Sequence, residues 1–165
     1  MGGGILVIGL GNALRGDDRV GLWVAARVAA AHWPQVTGLP LEAADPMLLL
    51  ETWAGYERVY VVDAVAGSLP AGTIVRVDLL RRRERQAVVT PATSHGLGLA
   101  HAVELGRALH ALPRHLILYG IVGREFVYGG SLSPDVEAAA RRVLARLRRA
   151  CRAATGRAEA CTNTR

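Results

Sequence analysis

Apolar positions follow two rhythms along the chain. Residues 4–9 (GILVIG) form an unbroken apolar run closing on glycine, the pattern of a strand buried on both faces. After a short Gly-rich turn, Val20, Val24, Ala25, Val28 and Ala29 recur at helical spacing, which predicts a helix packed by one face on a sheet. Residues 36–43 predict a second, weaker strand, and residues 46–53 a short helix with Asp45 as N-cap and Pro46 at its first position. RVYVVD (58–63) reads as a third strand ending in a carboxylate, and TIVRVD (73–78) as a fourth. The nine residues between them are too few for a parallel crossover, so the fourth strand is expected antiparallel to the third. Residues 80–94 read as a long polar loop of the kind that carries function. A helix is expected from about Gly96 to Leu112, a fifth strand at HLILYGI (115–121), and a last helix from Ser133 (N-cap) and Pro134 to about Arg149.

Alternating strands and helices predict a three-layer αβα sandwich of the α/β class, with a mostly parallel sheet of about five strands. Residues 1–151 are expected to form one domain and residues 152–165 a mobile basic tail. Ligands in such folds bind beyond the carboxyl ends of the parallel strands. Three candidates fall there: Asp18 (with Asp17) after strand one, Asp63 at the end of strand three, and His95 at the start of a helix.

The chain has 165 residues, 51% of them hydrophobic and 21% charged, which excludes disorder and supports one sizeable core. No apolar run nears the roughly 18 residues of a membrane span. The first residues show neither a basic n-region with a cleavage-like site nor, with Leu6 in the deciding position, a lipidation signal. A cytoplasmic protein without membrane insertion is expected. The net charge is +6, and every basic residue is Arg. Residues 141–165 hold eight Arg against Glu159 alone, whereas residues 1–140 hold twelve Arg against thirteen acids. The basicity thus belongs to the last helix, the tail and a short RRRER run at 81–85. No aromatic residues interleave with these arginines, so solvated faces are the better reading than a nucleic-acid footprint. Cys151 and Cys161 are too few for a four-cysteine zinc site, and neither adjoins a base.

The Gly9 and Gly11 turn invites a dinucleotide reading, but Leu14 stands where the fingerprint needs its third glycine. Two aspartates also open the following helix, where they would repel a pyrophosphate. A phosphate loop needs a Lys, and the chain has none. A serine hydrolase is equally poor, since there is no Gly-x-Ser-x-Gly elbow, and Ser94 only adjoins His95 in sequence. Each candidate alone has an ordinary explanation: Asp17 as a helix cap, Asp63 as a strand terminator, His95 as a helix-start residue. Together Asp18, Asp63 and His95 offer two carboxylates and one imidazole, a set suited to a divalent ion such as zinc or nickel with open positions. Two aspartates could equally polarise a water between them.

GLGNALRGDD (9–18), VVDA (61–64) and SHGLGL (94–99), followed by LYGI (118–121) and LSP (132–134), resemble the hydrogenase maturation endopeptidases in order and spacing. The resemblance spans residues 5 to about 148. It implies an endopeptidase that removes the C-terminal extension of a nickel-loaded [NiFe] hydrogenase large-subunit precursor. It implies a metal site at Asp18, Asp63 and His95, with Asp18 and Asp63 as catalytic residues of an aspartic-type, metal-dependent peptidase. The nickel is expected to arrive with the precursor, with zinc or another divalent metal able to substitute. The alternative is a non-enzymatic nickel- or precursor-binding module of the same fold. Two departures bear on specificity: Arg19 replaces the family's usual Gly after the acidic pair, and LEAADP (41–46) replaces its usual Asp-Gly-Gly-Thr.

Overall fold

A computed structural model describes residues 4–81 and 94–162; the side chains of Ser94, His95 and residues 157–162 fall outside that description. The strands are β1 (Ile5–Leu10), β2 (Val36–Leu41), β3 (Arg58–Val65), β4 (Ile74–Asp78) and β5 (His115–Val122). The helices are α1 (Val20–Ala30), α2 (Pro46–Trp53), α3 (Ser94–Ala108) and α4 (Pro134–Thr162), with a single 3-10 turn at Gly16–Arg19 before α1. The sheet order is β2-β1-β3-β5-β4, parallel except for the β4–β5 pair.

Side-chain alternation explains the three layers. In β1, Ile5 and Val7 join one core with α1, α4 and the even positions of β3. Leu6, Ile8 and Leu10 join the other, with α2, α3 and Val59 and Val61 of β3. A strand with both faces covered needs apolar residues throughout, and all six residues of β1 are buried. The same alternation puts Asp63 in line with Val59 and Val61, on the face covered by α2 and α3.

The short helix is capped as expected, with Asp45 accepting from the Leu48 amide at 2.9 Å. The fourth strand is antiparallel, but its neighbour is β5, not β3: β5 inserts between them. Eight residues, 66–73, easily span the two strand spacings this requires. The last helix does not stop near Arg149 but runs to Thr162, because Cys151, Ala150 and Ala154 continue its apolar stripe along the core. Helix α3 spans Ser94–Ala108 in place of the expected 96–112. The polar loop expected at 80–94 lies almost wholly outside the described residues. Among the described residues, no helix is long and apolar enough to cross a membrane.

Candidate active site

The two aspartates of the first motif have opposite surroundings. Asp17 is fully buried and holds no helix cap. Its Oδ2 accepts from the Arg124 and Glu125 amides, both at 2.9 Å, and from the Ser133 hydroxyl at 3.0 Å. Its Oδ1 accepts from the Ser133 amide at 2.7 Å. The Asp17 amide in turn donates to Glu125 O at 2.7 Å. Desolvation is the largest single influence on this carboxyl and pushes its pKa up, but the Glu125, Ser133 and Arg124 amides and the Ser133 hydroxyl outweigh it, and the pKa ends below 3.8. Asp17 is therefore a structural anion, a bolt between the loop after β1 and the loop after β5. The expected capping role of Asp17 gives way to this contact, while Ser133 stands just before α4, its carbonyl accepting from the Glu137 amide and its hydroxyl donating to Asp17.

Glycines make the bolt possible. Gly16 has φ +26°, and a Cβ there would overlap Glu125 O. A Cβ on Gly9 would overlap Gly21 O, and one on Gly21 would overlap Leu10 O and Val62 O. Helix α1 thus sits directly on β1 and β3, and its first residues are drawn against the sheet edge. The first motif's glycines serve this close approach, and Asp18 occupies the edge where a phosphate would have to sit.

Asp18 and Asp63 are each only 3% exposed. Asp18 comes from the 3-10 turn that follows β1, and Asp63 from within β3, which runs two residues past the end the sequence predicts; β1 and β3 are neighbours at the point where the chain reverses its direction across the sheet. Burial pushes the Asp63 carboxyl well above its usual 3.8; the Asp18 charge pushes it the same way, and the Ala64 amide opposes both more weakly. Beside Asp63 in the sheet stands Gly120, which places no side chain on that position of β5. Two buried carboxylates that repel each other make a natural seat for a cation or a shared proton.

His95 lies in the first turn of α3, and its side chain is outside the description. The helix start itself is well placed. A Cβ on Gly98 would overlap Ala44 O, so α3 begins against the loop that follows β2, at the carboxyl edge and on the face of Asp63. Among the described residues, no group of three metal-ligating side chains forms; the described part of the site is the carboxylate pair. Beyond the ends of β3 and β5 opens a cleft of about 600 Å³, lined by Ala66, Leu69, Pro70, Gly123, Phe126 and the Arg124–Asp135 ion pair. Gly123 is adjacent to the Asp17 Cβ, so the cleft shares a wall with the bolt. Gly123 and the 124–125 amides leave no mark in residue type, because their role lies in main-chain direction.

Comparison with known proteins decides the family. The family model described as hydrogenase maturation protease matches residues 43–150. The chain belongs to the hydrogenase maturation protease family. It is 30% identical to the hydrogenase 2 maturation protease of Escherichia coli K12 over 151 residues, 87% of this chain and 90% of the relative. The solved structure of the hydrogenase maturating endopeptidase HybD from E. coli superposes with a TM-score of 0.73 at 26% identity, covering 89% of this chain and 93% of the other. The [NiFe] hydrogenase maturation protease HybD from Thermococcus kodakarensis gives the same TM-score at 25% identity, covering 90% and 99%. The fold of this maturation protease is thus the HybD-like α/β fold, with its mixed five-stranded sheet.

Proposed function

We propose that this family member is an endopeptidase that removes the C-terminal extension of a nickel-loaded [NiFe] hydrogenase large-subunit precursor. The observation that carries the proposal is the buried Asp18–Asp63 pair at the carboxyl edge of the sheet. Asp18, Asp63 and His95 would hold the nickel that the precursor brings, the two carboxylates and the imidazole leaving further positions for the precursor's own thiolates. When bound, the ion offsets the mutual repulsion of the carboxylates and supplies Lewis acidity for the scissile carbonyl.

The protein's own groups supply position and proton transfer. A carboxylate oxygen of Asp18 or Asp63 orients the attacking water and takes its proton as the water oxygen bonds to the carbonyl carbon. The same carboxylic acid then returns that proton to the leaving amine nitrogen as the C–N bond breaks. Asp17 takes no part in the chemistry; it holds the loops that hold Asp18. Recognition becomes alignment, because the ion that identifies a mature precursor also sets its peptide beside the carboxylates.

The test is to incubate purified protein with nickel-free and nickel-loaded precursor and to follow release of the C-terminal peptide by mass. Cleavage of the loaded form alone is expected, weakened in His95→Gln, since an amide is a poorer nickel ligand than imidazole. Equal rates on both forms would leave a peptidase not guided by nickel. A precursor bound but never shortened would leave a binding module.

A further inference from the structure

Exposed large apolar side chains concentrate at one edge of this molecule. Among the described residues, Leu109 is the exception, at the far end of α3; the others sit on segments that follow the carboxyl ends of strands. The most exposed are contiguous. Tyr128 is 78% exposed, Val127 60% and Leu14 54%. Arg15 and Tyr128 form an isolated antiparallel bridge, the Gly129 amide donates to Leu14 O at 2.8 Å, and Arg15 Nε donates to Phe126 O at 3.3 Å. Leu69, 52% exposed, lines the cleft beyond β3 and β5 together with Phe126, the residue before Val127.

This patch is rigid where surface loops are usually loose. The Asp17 carboxylate grips its segment on both sides, at residues 124–125 and at Ser133. Exposed aromatic and aliphatic groups held on a fixed backbone lose little entropy on contact, which is the property of interface anchors. Contiguous apolar surface of this kind marks a protein-binding face. Exposed Arg15, bridged to Tyr128, stands within it, and exposed Arg19 ends the 3-10 turn that follows.

We propose that Leu14, Leu69, Val127 and Tyr128 are the docking face for the folded body of the precursor, an apolar surface on the partner rimmed by carboxylates that meet Arg15 and Arg19. The inference rests on the function proposed above. The precursor is favoured over a second copy of this chain because the patch is continuous with the loops that carry Asp17 and Asp18. An occupant seated there touches the same loop that leads into Asp18, since the Gly129 amide and Tyr128 are bonded to Leu14 and Arg15. Docking by surface also gives the enzyme a grip on its substrate separate from the ion and the scissile peptide.

The experiment measures precursor cleavage and precursor binding for wild type, Tyr128→Ser, Leu14→Ser and the double variant. Both positions are exposed, so the melting temperature should stay within about a degree of wild type. KM for full-length precursor is expected to rise about tenfold for Tyr128→Ser and further in the double variant, with kcat within about twofold. Binding of precursor by biolayer interferometry should weaken in parallel, through faster dissociation. Unchanged KM and unchanged binding in the double variant overturn the proposal. So does a wild-type protein that sediments as a dimer and is made monomeric by Tyr128→Ser with precursor binding intact. Wild type that binds precursor through the patch yet never shortens it refutes the peptidase reading and leaves the docking face standing.

Discussion

Asp17 and Asp63 are the same residue type with opposite energetics. Asp17 is surrounded by donors; removing its carboxylate strands three backbone amides and a hydroxyl in a dry environment. Asp17→Ala is expected to cost about 2–4 kcal/mol of stability, read from the urea midpoint. Because the pKa of Asp17 is lowered on folding, its contribution is complete above the ordinary value of 3.8 and is lost as pH falls through the folded value. The gap in melting temperature between wild type and Asp17→Asn should therefore be widest near neutrality and close in acid. Asp63 has the reverse sign. Its raised pKa means that folding disfavours its charged form, so stability falls as pH rises from 3.8 through the folded value. Asp63→Asn should abolish cleavage and raise the melting temperature of the metal-free protein; full activity would remove Asp63 from the mechanism. At this scale the sequence marked Asp17, Asp18 and Asp63 as candidates but did not show how differently Asp17 and Asp63 are surrounded. The sequence offers Asp17, taken alone, only as a helix cap, and nothing near GDD shows that the loop after β5, over a hundred residues away, claims it.

At the scale of elements, periodicity located the five strands and four α-helices of the described residues, though not the bounds of α3 and α4, because each face of the sheet demands its own alternation. What pattern could not show was closeness. The contacts of Gly9 with Gly21, and of Gly98 with Ala44, depend on side chains that are missing, and a missing side chain looks the same in a turn and in a tight crossing. The insertion of β5 between β3 and β4 was likewise invisible, since β4 has the same length and direction beside either neighbour. Gly98→Ala offers a direct test of how α3 is seated. Its methyl would overlap Ala44 O, and the backbone on one side must move. A loss of about 1–3 kcal/mol is expected, together with reduced cleavage as the helix start carrying His95 is displaced from the edge. A variant as stable and active as wild type would mean that α3 does not position His95.

For the whole molecule, the charge imbalance recognised in the sequence proves to be built into one long helix. Val143, Leu147 and Cys151 of α4 face the core, while Arg148, Arg149 and Arg152 face outward. Burial pushes the Cys151 thiol up to about 11, so it is a packing group and should resist alkylation in the native protein while reacting on unfolding. Arg27 and Arg141 lie over the ring of Trp23, at 3.3 and 5.6 Å, which fastens α4 to α1. Truncation after Arg152 should leave precursor cleavage within about twofold at moderate salt, while the melting temperature falls by about 1–4 °C through loss of the Ala154 contact with the core. Loss of cleavage in a folded truncation would show that the tail grips the precursor.

The bolt at Asp17 also has a consequence in time. Its donors at Ser133 lie 116 residues downstream. On a ribosome adding about 5–20 residues per second, roughly 6–23 s pass between synthesis of the aspartates and synthesis of the serine that secures them. Through that interval β1 can already pair with β2 and β3, but the turn that carries Asp17 and Asp18 lacks the Ser133 donors that fasten it. The proposed peptidase site is therefore fastened only after β5 and the loop that follows it have been made, so the order of synthesis itself delays its assembly.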